Sequence, residues 1–115
     1  MTEALREQVG THVLIDVRGA SRLDDPAHLE TIMRKAAVGA GATILQSHFH
    51  HFGPEMGVTG VLMLAESHIS VHTWPETGFA ALDIFMCGSA RIDRAVAVIE
   101  KAFAGATIDV RRMAR

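Results

Sequence analysis

From Ser67 to Trp74, and again from Phe79 to Cys87, polar and apolar residues alternate one by one, a period that suits an extended strand with one face covered. In the first segment His68, Ser70, His72 and Trp74 fall on one side and Ile69, Val71 and Thr73 on the other. In the second, Phe79, Ala81, Asp83, Phe85 and Cys87 oppose Ala80, Leu82, Ile84 and Met86. Only the Pro75 to Gly78 turn separates the two. Each strand therefore has an apolar side to bury and a side carrying imidazole, hydroxyl, carboxylate and thiol groups.

The remaining segments fit around this pair. Thr11 to Val17 reads as a strand ending at Gly19. Asp25 and Pro26 read as the cap and first position of a helix whose apolar residues Leu29, Ile32, Met33, Ala36, Ala37 and Ala40 run up to Gly41. Ala42 to Phe52 is extended until Gly53-Pro54 breaks it, and Val58 to Glu66 is a further strand. Ile92, Val96, Ile99 and Phe103 form the stripe of a second helix that stops before Gly105, and Thr107 to Arg112 closes as a strand. The order β-α-β-β-β-β-α-β lacks a repeated βαβ rhythm, so the expected fold class is α+β, an antiparallel β-sheet with two helices packed on one face as a two-layer sandwich. The length of 115 residues, without a linker, suits a single domain over residues 1–115. Two helices cover one sheet face; the other must meet water, a ligand or a second copy.

Charge and composition narrow the function. The chain has 11 basic and 13 acidic residues, a net charge of −2, and no long run of either sign, which gives a nucleic-acid role no electrostatic support. No apolar stretch approaches the roughly 20 residues of a membrane span. Met1 to Gly10 is charged and reads as helical, without the apolar centre of a signal peptide, so a cytoplasmic protein is expected. The single cysteine, Cys87, cannot form an internal disulfide and serves either packing or chemistry. Its place beside Gly88, on the side shared with Asp83, puts it where a strand end can border a cleft. Asp83 itself reads equally as a paired structural carboxylate. Among the 7 histidines, His48, His50, His51, His68 and His72 cluster in two neighbouring strands. His48 and His50 with His72 or Cys87 could form a three-ligand zinc or copper centre, against the plainer reading of hydrogen-bonded surface imidazoles.

The block Ala65-Glu66-Ser67-His68-Ile69-Ser70-Val71-His72-Thr73-Trp74-Pro75-Glu76, with Phe85-Met86-Cys87-Gly88 after it, resembles the prokaryotic S-adenosylmethionine decarboxylase proenzymes. Phe49-His50-x-Phe52 and Gly57-Val58-Thr59-Gly60-Val61 are similar as well, so the likeness covers nearly the whole chain. It implies a precursor that cuts its own backbone at Glu66-Ser67 into a beta chain, residues 1–66, and an alpha chain, residues 67–115. Ser67 would become a pyruvoyl group, the cofactor, which holds the substrate as a Schiff base and accepts electrons as carbon dioxide leaves. By the same resemblance His72 is the processing base, Cys87 the proton donor, and Thr59 a processing support, with Thr59 and His72 as donors to the oxyanion. Phe52 would stack on the adenine, Glu76 would meet the ribose hydroxyls, and His72 would lie across the purine. The implied partner is a second copy, in a homodimer with sites at the interface, and the implied product feeds spermidine synthesis.

The chain departs from that family's pattern in a loop, Gly53-Pro54-Glu55-Met56, one residue longer than usual, in Thr59 where serine is common, and in having no tyrosine. Thr77 and the neighbourhood of Arg18 lack the usual aromatics. Two other function classes therefore stand beside the first: the same pyruvoyl chemistry on ornithine or arginine, with Glu55 holding the distal cation, and an uncleaved histidine-rich metal-binding module.

Overall fold

The computed structural model describes residues 8–115. Six strands form one sheet: β1 (Gly10–Arg18), β2 (Ile44–His51), β3 (Val58–Leu64), β4 (Ser67–Trp74), β5 (Phe79–Cys87) and β6 (Thr107–Ala114). Their spatial order is β2-β3-β4-β5-β1-β6 and every neighbouring pair is antiparallel. Helices α1 (Pro26–Gly39) and α2 (Ile92–Ala102) pack on one face and against each other, α1 over β2 and β3 and α2 over β5. This is the two-layer α+β sandwich expected from the element order. The helical reading of the chain start lies largely outside the described residues; Gly10 begins β1.

The alternation decides which sheet face is covered. Ile69, Val71, Ala80 and Ile84 are fully buried under the helices, and Thr73, Leu82 and Met86 nearly so. Burying each large aliphatic side chain contributes about 1.5–3 kcal/mol. Asp25 caps α1 as expected, its carboxylate accepting from the His28 amide at 3.0 Å. In α2, Val96 and Ile99 are buried and Phe103 closes the helix as its C-cap. Three boundaries move by two residues: β2 starts at Ile44, β3 ends at Leu64, because Ala65 and Glu66 form the turn to β4, and β6 runs on to Ala114 beside β1.

Thr73 is the one buried polar side chain among the described residues. Its hydroxyl donates to the Leu23 carbonyl at 2.6 Å and accepts from the Val58 amide at 2.9 Å, tying the approach to α1 onto the start of β3. Gly57 lies against the same residue, and a Cβ there would overlap the Thr73 carbonyl oxygen. That obstacle is backbone and cannot swing aside. Gly57→Ala is accordingly expected to cost about 1–3 kcal/mol, read from denaturant unfolding.

Candidate active site

The uncovered face and the two ends of the β3-β4-β5 ladder hold the chemically equipped side chains. At one end, β3 and β4 join through Ala65 and Glu66, with Leu64 opposite Ser67. Glu66 adopts a left-handed conformation, φ 60°, which costs a residue with a Cβ about 1–2 kcal/mol. The strained residue directly precedes Ser67. Because β4 begins where the antiparallel β5 ends, Cys87 lies beside this turn, and its thiol donates to the Glu66 carbonyl at 3.0 Å. The carbonyl of the Glu66-Ser67 peptide thus carries a thiol donor on its oxygen.

At the other end of the same strands a cleft of about 270 Å³ is lined by Phe52, Met56, Thr59, His72, Trp74 and Glu76, among others. Thr59 pairs with His72 across the β3-β4 ladder, and the Thr59 hydroxyl and His72 Nδ1 share a hydrogen bond of 3.2 Å. Phe52 is 57% exposed and so is not the ordinary core residue its apolarity allowed; its ring meets His50 edge-on at 4.6 Å. Glu76 sits in a 3-10 turn, Pro75–Thr77, closed by Gly78, which lies in the left-handed region and donates its amide to the Pro75 carbonyl at 3.2 Å. Trp74 packs against the Phe79 ring at 5.4 Å and remains 44% exposed. Glu55 lines a different hollow, with Arg22, Asp24 and Glu76.

The sequence-derived site is therefore divided. Ser67 and His72 lie five residues apart on one strand, about 17 Å at ~3.3 Å per residue, and Thr59 is as far from the turn as His72 is. Within one copy neither Thr59 nor His72 reaches the Glu66 carbonyl, so their expected role as oxyanion donors does not hold inside a single chain; Cys87 occupies that place instead. The strand order undoes the metal centre of His48 and His50 with His72 or Cys87. His48 and His50 pair with Val61 and Thr59 of β3, which sets them two strand spacings, about 10 Å, from His72 on β4, and Cys87 lies farther off on β5, so their ligating atoms do not converge.

Between the two ends, the centre of the face joins Asp83 and His68, both marked in the sequence, to His12, which was not. His12 on β1 and His68 on β4 flank Phe85 in one cross-strand row, and both lean toward Asp83, the next residue of β5 on that side. Each donates Nε2–H to Asp83 Oδ2, at 2.7 and 2.9 Å, while the Ser70 hydroxyl donates to Oδ1. Burial pushes the Asp83 carboxyl up, but the bonds from Ser70, His12 and His68 outweigh it and hold the group below the usual carboxylate range. The pattern that exposes His12 was in the sequence: His12, Leu14 and Asp16 alternate with Val13, Ile15 and Val17, so β1 presents a polar side like β4 and β5. His12, His68 and Asp83 are also the one set among the described residues whose ligating atoms converge closely enough for a metal ion.

Known proteins are similar to this chain in sequence and in fold. The family model described as S-adenosylmethionine decarboxylase matches residues 11–115. The S-adenosylmethionine decarboxylase proenzyme of Synechococcus sp. (strain WH7803) is 54% identical over 82 residues, covering 70% of this chain and 63% of that protein. The proenzyme of Moorella thermoacetica is 51% identical over 82 residues, 70% of this chain and 65% of that one. The matched stretch thus spans slightly less than two thirds of these relatives. The crystal structure of the adenosylmethionine decarboxylase from Aquifex aeolicus VF5 superposes with a TM-score of 0.85 at 34% identity, over 96% of this chain and 92% of that one. With the whole fold except the first residue of β1 inside the matched family segment, this chain belongs to the S-adenosylmethionine decarboxylase family.

Proposed function

We propose that this chain is a self-processing precursor that cuts between Glu66 and Ser67 and then decarboxylates S-adenosylmethionine, supplying an aminopropyl donor for polyamine synthesis. One observation carries the reading: the peptide that would be cut follows a left-handed, non-glycine Glu66 and has the Cys87 thiol on its carbonyl. The Ser67 hydroxyl attacks the Glu66 carbonyl carbon, the new C–O bond replaces the C–N bond, and the nitrogen leaves as the Ser67 amine. Strain at Glu66 raises the starting state, and the Cys87 S–H faces the oxygen on which charge develops. Removal of the Ser67 α-proton expels the Glu66 carboxylate, and the dehydroalanine gains water and loses ammonia to leave a pyruvoyl group. That group would supply an electron sink for the pair left on the substrate α-carbon when carbon dioxide departs.

Ser67 suits this group because it opens β4, at the end of the ladder and close to a thiol. Cys87 then delivers a proton to the substrate carbon left by carbon dioxide. A thiol is a weak hydrogen-bond donor, so Cys87→Ala should still be cut, within about tenfold of the parent rate. Its turnover should fall by about 100-fold, measured as carbon dioxide release from cut enzyme.

The second half of the proposal concerns assembly. Phe52 would stack on the adenine and Glu76 would accept from the ribose hydroxyls, with His72 across the purine, yet all three lie at the end of the strands remote from Ser67. A homodimer that pairs the two uncovered faces can bring the Ser67-Cys87 end of one copy to the Thr59-His72-Glu76 end of the other. His72 of one copy then takes the Ser67 α-proton of its partner, with Thr59 fixing the imidazole. The uncovered face supplies apolar groups for such a contact: Val61, Met63 and Met113 are 39%, 47% and 54% exposed. Carbon dioxide released from carboxyl-labelled S-adenosylmethionine, and none from labelled ornithine or arginine, is the expected result. Release from either amino acid with S-adenosylmethionine inert would overturn the substrate assignment.

A further inference from the structure

The cut proposed above creates a mechanical problem. While the chain is whole, the Ala65-Glu66 turn ties the start of β4 to β3. Once the Glu66-Ser67 bond is gone, Ser67 is a chain end, and chain ends fray unless something pins them. The ladders offer it little: Ser67 pairs with Leu64 on β3, whereas pairing with β5 begins only at His68. A reactive group at this position needs to stay within a fraction of an ångström of its working geometry.

His68 is where the strand regains a hold. Its Nε2–H donates to Asp83 Oδ2 at 2.9 Å, and its ring stacks on Phe85 at 6.5 Å between centroids. Asp83 is itself fixed by His12 from β1 at 2.7 Å and by the Ser70 hydroxyl, so the carboxylate joins β4 to β5 and β1, in the middle of the sheet. Arg115 donates to His12 Nδ1 at 3.4 Å, which leaves the proton of that imidazole on Nε2, facing Asp83.

We infer that Asp83 is a positioning residue: through His68, and braced by His12 and Ser70, it holds the chain end that self-cleavage creates at Ser67. The inference rests on the cut proposed above and deepens it. A merely structural carboxylate would matter equally before and after the cut; an anchor matters chiefly once the turn no longer does the holding.

The test uses amide hydrogen exchange over residues 68–71 in four full-length proteins: the parent, Asp83→Ala, Ser67→Ala, and the Ser67→Ala/Asp83→Ala double variant. Removing the carboxylate should speed exchange by about tenfold or more in the cut pair and by less than about threefold in the uncut pair. The kcat for decarboxylation should fall by about 10–100-fold with KM within about threefold, and Asp83→Asn, which keeps one acceptor oxygen, should recover part of it. Equal acceleration in both pairs, no acceleration in the cut pair, an Asp83→Ala chain that stays whole, or an unfolded double variant would each overturn the assignment. A parent that is itself whole would instead strike the self-cleavage reading, and is seen before any Asp83 variant is compared.

Discussion

Ser67→Ala is expected to give one uncut, folded chain with no decarboxylase activity. Alanine keeps the Cβ and the backbone pairing of Ser67 with Leu64 and removes only the oxygen that attacks. Without that oxygen no ester forms, and the strained Glu66 and the adjacent thiol have nothing to act on. The loss is therefore all or none, unlike the graded effect of Cys87→Ala. A denaturing gel reads the cut, thermal unfolding reads the fold, and labelled carbon dioxide reads the turnover. A Ser67→Ala chain that still separates into two fragments would remove Ser67 from its role.

The second large effect comes from mixing two inactive variants. Ser67 and His72 are about 17 Å apart along one strand, so a His72 that serves Ser67 has to come from another copy. His72→Ala alone should be cut very slowly and Ser67→Ala not at all. Co-expressed with different affinity tags, the His72→Ala chain should be cut by the His72 of its Ser67→Ala partner, and decarboxylation should return to as much as about a quarter of the parent level if copies pair at random, because about half of the dimers are then mixed and each holds one complete site. Mixed dimers that are no better cut than His72→Ala alone would contradict a site shared between copies.

Much of the framework was legible because it rests on local rules. Alternation marked β4 and β5 to the residue, and Asp25-Pro26 marked the start of α1, since a cap and a fixed φ are properties of neighbouring residues. What escaped the sequence depended on the order of strands across the sheet. Cys87 and Glu66 are 21 residues apart and meet because β5 ends beside the β3-β4 turn. His12 is 71 residues from Asp83 and joins it only because the first strand inserts between β5 and β6. Alternation says which face His72 is on; only the ladder says it is at the wrong end to serve its own Ser67. The metal centre of His48 and His50 with His72 or Cys87 failed for the same reason, since β3 stands between β2 and β4 and a shared face was taken for a shared place.

Intact mass of the purified, unmodified protein tests the account most directly. It predicts two fragments, residues 1–66 with an ordinary carboxyl end and residues 67–115 lighter than its sequence by one ammonia, with no free amine at its start. A single mass equal to the full 115-residue chain would contradict it.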